Sequence, residues 1–284
     1  MDIIAAVLVP FMVSLLVCGL MIRFGPRDVP DGGRKTQGAP VPSAGGIGIL
    51  AGVTASLAAL EAMGVNVAGL MFAPPLAGLA SFCVFAALLG WLDDAKGLPA
   101  SAKLLALVGS AIGAALLGTA PAGLYVGGAA IALPPVLGVL VAAAVIFVMA
   151  NAVNFLDGAN GIAMGTALII LAVLVLMIAP SAAMMPDRPD LALLTGLLLA
   201  AAAAIGGFLF WNLRGKLFAG DAGALSVGGL IGAASVIFAM GGQVLVPLTL
   251  CLPILVDVFL TLAWRARRGL PLMQAHRDHA YQLL

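Results

Sequence analysis

Two adjacent carboxylates, Asp93-Asp94, close a long apolar run just after Trp91. If that run is a helix, both charges face the negative end of its dipole and repel each other. The penalty is only about 1 kcal/mol per charge at an exposed end, yet a plain solvated turn gains nothing in return. Paired carboxylates beside phosphates usually hold Mg²⁺ or serve as a base for a phosphate nucleophile. A second polar group lies at Asn151, Asn154, Asp157 and Asn160. Asn154 and Asp157 are three apart and share one face of a continuing helix. Asp157-Gly158 and Asn160-Gly161 are ordinary turn pairs, but a turn alone does not require the amide-rich stretch before it. A third motif, Phe218-Ala219-Gly220-Asp221, opens another apolar run. Asp221 there is either a helix cap or part of a phosphate site, because a helix N-terminus suits both. The two histidines of the chain, His276 and His279, lie near its end in a basic segment after Arg265, Arg267 and Arg268. Their spacing is weak support for metal, and the three arginines read first as membrane-flanking anchors. Asp257 sits inside an apolar run, where a carboxylate costs about 2.5–3.5 kcal/mol and should face protein rather than lipid.

The elements that carry these residues follow from composition. Of 284 residues, 63% are hydrophobic and 9% charged, against about 25% charged in a soluble domain. Such a chain cannot cover a water-facing surface, so it is an integral membrane protein. A span needs about 20 helical residues, and the apolar runs number nine: 3–22, 45–63, 76–92, 104–120, 134–154, 162–180, 191–211, 222–240 and 244–264. The first run is too long for a signal peptide and lacks a basic flank, so it reads as an uncleaved span. The fold class is therefore all-α, a polytopic bundle forming one membrane domain over residues 1–284. With the N-terminus outside, twelve of the thirteen Lys and Arg fall on inner segments, Arg188 being the exception. The positive-inside rule then gives an N-out, C-in topology. Asp28, Asp31, Asp93, Asp94, Asp157, Asp221 and Asp278 fall on the same inner side, although carboxylates do not enter that rule. Both signs on one face point to a polar site built from several helix ends. The net charge of +1 supplies no field to recruit nucleic acid. Cys18, Cys83 and Cys251 are too scattered for a disulfide framework or zinc site. The glycines inside spans, such as Gly45, Gly46, Gly48 and Gly52, read as close helix packing rather than a nucleotide fingerprint.

Taken in order, the motifs are Asp28-x-Pro30-x-x-x-Arg34-Lys35, Pro42-x-x-Gly45-Gly46, Asp93-Asp94, Asn154-x-x-Asp157-Gly158, Phe218-x-Gly220-Asp221-x-Gly223 and Pro253-x-x-x-Asp257, closed by His276-Arg277-x-His279-x-Tyr281-Gln282. This order resembles the polyprenyl-phosphate N-acetylhexosamine-1-phosphate transferase superfamily over nearly the whole chain. The closing motif looks most like the branch that initiates O-antigen. The resemblance implies a membrane polyprenyl phosphate attacking the β-phosphorus of a UDP-N-acetylhexosamine, with Mg²⁺, or alternatively Mn²⁺, as cofactor. Its partners would be those two substrates and membrane lipid, with no nucleic acid, and a homodimer is compatible with it. It further implies a bacterial inner-membrane location with the site facing the cytoplasm.

Carried over by motif, Asp93 looks like the group that deprotonates or orients the lipid phosphate, with Asp94 beside it. Asp221 looks like the Mg²⁺ ligand, with Asp94 as a second. Phe218 looks like the uracil-stacking residue. Lys35, Lys103, Asn154 and Asp157 match positions lining the phosphate and nucleotide pocket, and His276 or His279 matches the essential loop histidine. Sugar choice is expected in residues 265–284, whose Arg and His side chains offer directional donors. Three features depart from the pattern. Asn160 stands where the family usually has Asp, Ala224 where it usually has Ser, and no tenth span follows the ninth. Two other classes compete: a secondary transporter, whose polar groups would lie near the midplane, and a catalytically impaired relative serving an assembly.

Overall fold

The computed structural model describes residues 4–28, 40–126, 129–241 and 244–271 together with Asp278. Lys35, His276 and His279 lie outside the described residues. Helices dominate: α1 (Val9–Phe24, led by a π-helical turn Ile4–Leu8), α2 (Gly45–Ala62), α3 (Val67–Met71), α4 (Leu76–Lys96), α5 (Ala100–Ala114, continued by a π-helical turn Ala115–Thr119), α6 (Pro135–Leu156), α7 (Ile162–Met184), α8 (Pro189–Asn212), α9 (Gly220–Met240) and α10 (Leu245–Arg267). Among the described residues, nine helices are long and apolar enough to cross a membrane, as the apolar runs predict. Several extend past the predicted bounds. The run over 76–92 continues as helix to Lys96, because Asp93 and Asp94 end the apolar count without ending the helix.

Two short antiparallel ribbons and one short helix were not anticipated. Arg27–Asp28 pairs with Val41–Pro42, and Gly123–Val126 pairs with Ala129–Ala132. Helix α3 is too short to cross the membrane, and it is capped at Asn66, whose Oδ1 accepts the Gly69 N–H at 3.0 Å.

Helix α9 is the axis of the bundle, with 89% of its apolar window buried, against 28% for α10 at the periphery. Glycines on α9 explain how it fits. A Cβ at Gly228 would lie 2.5 Å from the Met149 carbonyl oxygen of α6, and one at Gly229 would lie 2.1 Å from the Phe82 ring of α4. Close approach through small residues is thus how α9 packs, its glycines receiving neighbours such as the buried Phe82 ring. Gly228→Ala is expected to destabilise the bundle by about 1–3 kcal/mol, because the obstacle is backbone and cannot rotate away. Thermal unfolding in detergent measures this, and an unchanged midpoint would contradict so tight an α6–α9 contact.

Candidate active site

The inner ends that the nine-span reading assigns to one side do come together. The last turns of α4 and α6 and the first turns of α5 and α9 supply one polar cluster. Its placement begins at Gly90, where a Cβ would lie 2.4 Å from the Ala222 nitrogen. That contact brings α4 against the start of α9, and one turn further on Asp94 meets the α9 N-terminus. Asp94 accepts the N–H groups of Asp221 (3.2 Å) and Ala222 (3.4 Å). Helix α9 has no capping side chain of its own, so Asp94 caps it from a neighbouring helix. Gly220 is required between them: its φ is +71°, and a Cβ there would lie 2.2 Å from the Ser43 oxygen and 2.6 Å from Asp94 Oδ2.

This arrangement offsets part of the apparent cost of the Asp93-Asp94 pair. Asp94 faces the positive end of α9 rather than only the negative end of α4. Asp93 accepts the Leu98 N–H at 2.6 Å and pairs with Lys103 Nζ at 2.7 Å. The chain turns back between them through Gly97 in the left-handed region, φ +65°. Lys103 also pairs directly with Asp221, and Asn154 Nδ2 donates to Asp221 Oδ1 at 2.8 Å. Asp93, Asp94, Lys103, Asn154 and Asp221 therefore form one connected network. Asp221 is not the cap of its own helix; it faces a lysine and an amide while Asp94 does the capping.

Asp157 follows α6 directly, and among the described residues no side chain or N–H donates to its carboxylate. Burial first, then the charges of Asp221 and Asp94, hold its carboxyl well above the usual carboxylate range. A raised folded-state value means that the folded protein binds this proton more tightly than the unfolded chain. The resulting stabilisation is present at low pH and is lost as pH rises through the raised value. Asp157→Asn is therefore expected to lose stability less steeply than the native protein as pH rises in divalent-free buffer. Identical pH profiles would refute the unpaired carboxyl.

Not every predicted residue joins the cluster. Asn151 turns its amide back to the Phe147 carbonyl of its own helix at 2.8 Å, so it serves α6 alone. Asn160 lies in the next turn, near Asn212. Phe218 is half-buried, and its backbone is fixed on both sides: its N–H donates to Pro42 at 2.8 Å and its carbonyl accepts from Gly45 at 2.9 Å. Asn212 was not singled out in the sequence. It ends α8 and resembles any polar residue at a span terminus, so composition and spacing carry no signal for it.

The cluster's donor chemistry suits a hard dication. Carboxylate oxygens of Asp94 and Asp221 meet there beside the Asn154 amide N–H₂, with Asp93 and Asp157 close by and Lys103 as the cation of the described network. Among the described residues no three acidic, Cys or His side chains form a ready-made cage. Mg²⁺ does not require one, since it keeps several waters and binds through one or two carboxylates plus substrate phosphates.

A polytopic helical membrane protein with an acidic, lysine-braced site at joined helix ends is the class that fold and site define. The sequence model of Glycosyl transferase family 4 matches residues 76–239, which hold every member of the network. Related proteins extend the match beyond that region. The chain is 33% identical over 285 aligned residues to the phospho-N-acetylmuramoyl-pentapeptide-transferase of Mycobacterium bovis, covering 83% of this chain and 76% of that protein. It is 32% identical to the enzymes of the same name from Mycolicibacterium vanbaalenii and Mycobacterium avium, with the same coverage. The chain belongs to glycosyl transferase family 4, within the polyprenyl-phosphate phospho-sugar transferases. It is a multi-pass protein of the bacterial inner membrane.

Proposed function

We propose that this chain is a single membrane domain that transfers an N-acetylhexosamine 1-phosphate unit from a UDP-sugar to polyprenyl phosphate, releasing UMP. An oxygen of the lipid phosphate attacks the β-phosphorus. A new P–O bond forms there, and the bond from the β-phosphorus to the bridging oxygen breaks, leaving that oxygen on UMP. Such transfer depends on positioning and charge neutralisation rather than on a protein nucleophile. The observation that carries this reading is the bridge from Lys103 to both Asp93 and Asp221, with Asp94 set on the α9 N-terminus. Asp93 orients the lipid phosphate and accepts its proton. Asp221 and Asp94 would hold Mg²⁺, with Mn²⁺ as an alternative ion, and the ion when bound would neutralise diphosphate charge. Asn154 and Lys103 fix the Asp221 carboxylate, Asp157 adds a carboxylate at the phosphate end, and Phe218 stacks on the uracil. Lys35 and the two histidines belong to the proposal on the strength of their motifs alone.

The donor sugar has two readings. The closing His276-Arg277-x-His279 motif favours an O-antigen-type N-acetylhexosamine. The names of the relatives favour a UDP-linked N-acetylmuramoyl-pentapeptide. Purified protein incubated with polyprenyl phosphate and each UDP-sugar in turn, with mass analysis of the lipid, separates them. UMP release only when both substrates are present supports transfer. Solute movement without UMP release would instead mark a transporter, and neither activity an assembly subunit.

Orientation is part of the proposal. Cysteines placed at Lys96 and Gly269, in a background lacking the three native ones, are expected to resist impermeant thiol reagents in intact cells and to react after lysis. Labelling from outside would reverse the topology and remove access to cytosolic UDP-sugar.

A further inference from the structure

We propose that Asn212 is a positioning residue for the transfer, one that locks the turn after α6 to the turn before α9. This rests on the proposed function for its kinetic consequences, while the geometry stands apart from it. Asn212 is 4% exposed, although it is the last residue of α8 and Leu213 and Arg214 beside it are exposed. Its carboxamide is occupied at both ends. Oδ1 accepts the Gly161 N–H at 2.7 Å, and Nδ2 donates to the Leu217 carbonyl at 2.9 Å and lies 3.5 Å from Asn160 Oδ1.

Each partner is placed where it matters. Gly161 precedes α7, a helix with no capping side chain of its own, so Asn212, at the end of the adjacent α8, satisfies a free amide at its start. Gly161 also has φ +81°, and a Cβ there would lie 2.5 Å from Leu213 Cδ2, so the turn rests directly on the end of α8. The segment from Asp157 to Gly161 carries the unpaired carboxyl and the Asn160 amide. Leu217 immediately precedes Phe218, and Phe218 and Ala219 are tied by backbone hydrogen bonds to Pro42, Gly45 and Gly46. One side chain thus joins the Asp157–Asn160 segment to the frame that holds Phe218 and Asp221. A carboxamide suits this role because it accepts from one turn on its oxygen and donates to the other from its nitrogen. Aspartate would keep the Gly161 bond and lose the donation to Leu217, and alanine would lose both. With both ends of the amide engaged inside the protein, Asn212 acts through its neighbours and is not itself a catalytic residue.

The test compares Asn212→Ala and Asn212→Asp with the native protein by steady-state kinetics and by amide hydrogen exchange, well below each melting temperature. Displacement of the joined turns is expected to lower kcat/KM for the UDP-sugar by about 10²-fold, the scale of small misplacements around a reacting centre. KM for the UDP-sugar should rise while KM for polyprenyl phosphate stays within about twofold, since the joined segments are those assigned to the nucleotide. Exchange should accelerate in residues 157–162 and 213–219 together. Asn66→Ala, which removes a cap far from the site, should leave both segments and all kinetic constants unchanged. If the Asn212 variants melt earlier but keep native kcat and both native KM values, the residue is merely structural and the proposal fails. If the native protein shows no transfer at all, the proposed function fails, and the exchange data alone decide whether Asn212 couples the turns. Exchange that changes in one segment only overturns the coupling.

Discussion

Asp221→Asn is expected to reduce kcat by on the order of 10³-fold, with the bundle still folded. The Asp221 carboxylate accepts from Lys103 on one oxygen and from Asn154 on the other. An amide keeps the shape but turns an N–H₂ group toward one of those donors, and it removes the negative charge proposed to hold Mg²⁺. Asp94→Asn should lower kcat comparably, with an added stability loss of about 0.5–2 kcal/mol, the usual cost of a lost helix cap. The two substitutions thus separate two jobs. Asp221→Asn acts on turnover and weakens the Lys103 pair, whereas Asp94→Asn acts on turnover and on the cap of α9. Near-native turnover in either variant would remove that residue from the proposed site.

Lys103→Met is expected to damage both stability and activity, and for a different reason. Lys103 is 15% exposed at its side chain and pairs with Asp93 and Asp221, themselves 17% and 26% exposed. Removing one member of a buried ion pair costs about 3–5 kcal/mol because the partner's charge is left uncompensated. Partial water access to both carboxylates puts this case at the low end, about 3 kcal/mol. Turnover should fall by at least about 10²-fold as Asp93 and Asp221 lose their common anchor. Added Mg²⁺ is expected to recover part of the lost melting temperature in Lys103→Met, since a dication offsets the same excess of carboxylates. The native protein should gain less, its carboxylates being partly neutralised already. A variant as stable as the native protein would mean that the lysine bridge contributes little in the folded state.

Much of this was legible in the residues. The nine spans follow from apolar run lengths, and the shared side of the carboxylates follows from counting crossings. Asp93, Asp94, Lys103, Asn154 and Asp221 come together in the fold, Lys103 following from the family resemblance and not from its spacing. What was not legible is how partners are exchanged between helices. Asp221 reads either as a cap for its own helix or as part of a phosphate site, and the cap comes instead from Asp94 on α4, because Gly90 lets the two backbones touch. A cap supplied from a distant part of the chain leaves no local pattern. Asn151 has the same composition signal as Asn154, but one residue turns the amide to its own helix and the other to Asp221. The difference is helical phase relative to a neighbour, which a single chain does not encode in its spacing. Asn212 was invisible for a similar reason: its role lies in two turns that are remote in sequence and adjacent only in the fold. The π-helical turns at Ile4–Leu8 and Ala115–Thr119 also lack a periodic signature, since one extra residue in a turn does not disturb an unbroken apolar run.

The central claim is that phosphorus itself moves from nucleotide to lipid at this carboxylate–lysine cluster. Purified protein supplied with polyprenyl phosphate, Mg²⁺ and a UDP-sugar carrying radiolabel only in its β-phosphate tests it directly. Label is expected in the lipid fraction and unlabelled UMP in the aqueous fraction, with both lost in Asp221→Asn. Label remaining entirely in water-soluble products, or lipid labelling undiminished in Asp221→Asn, would contradict it.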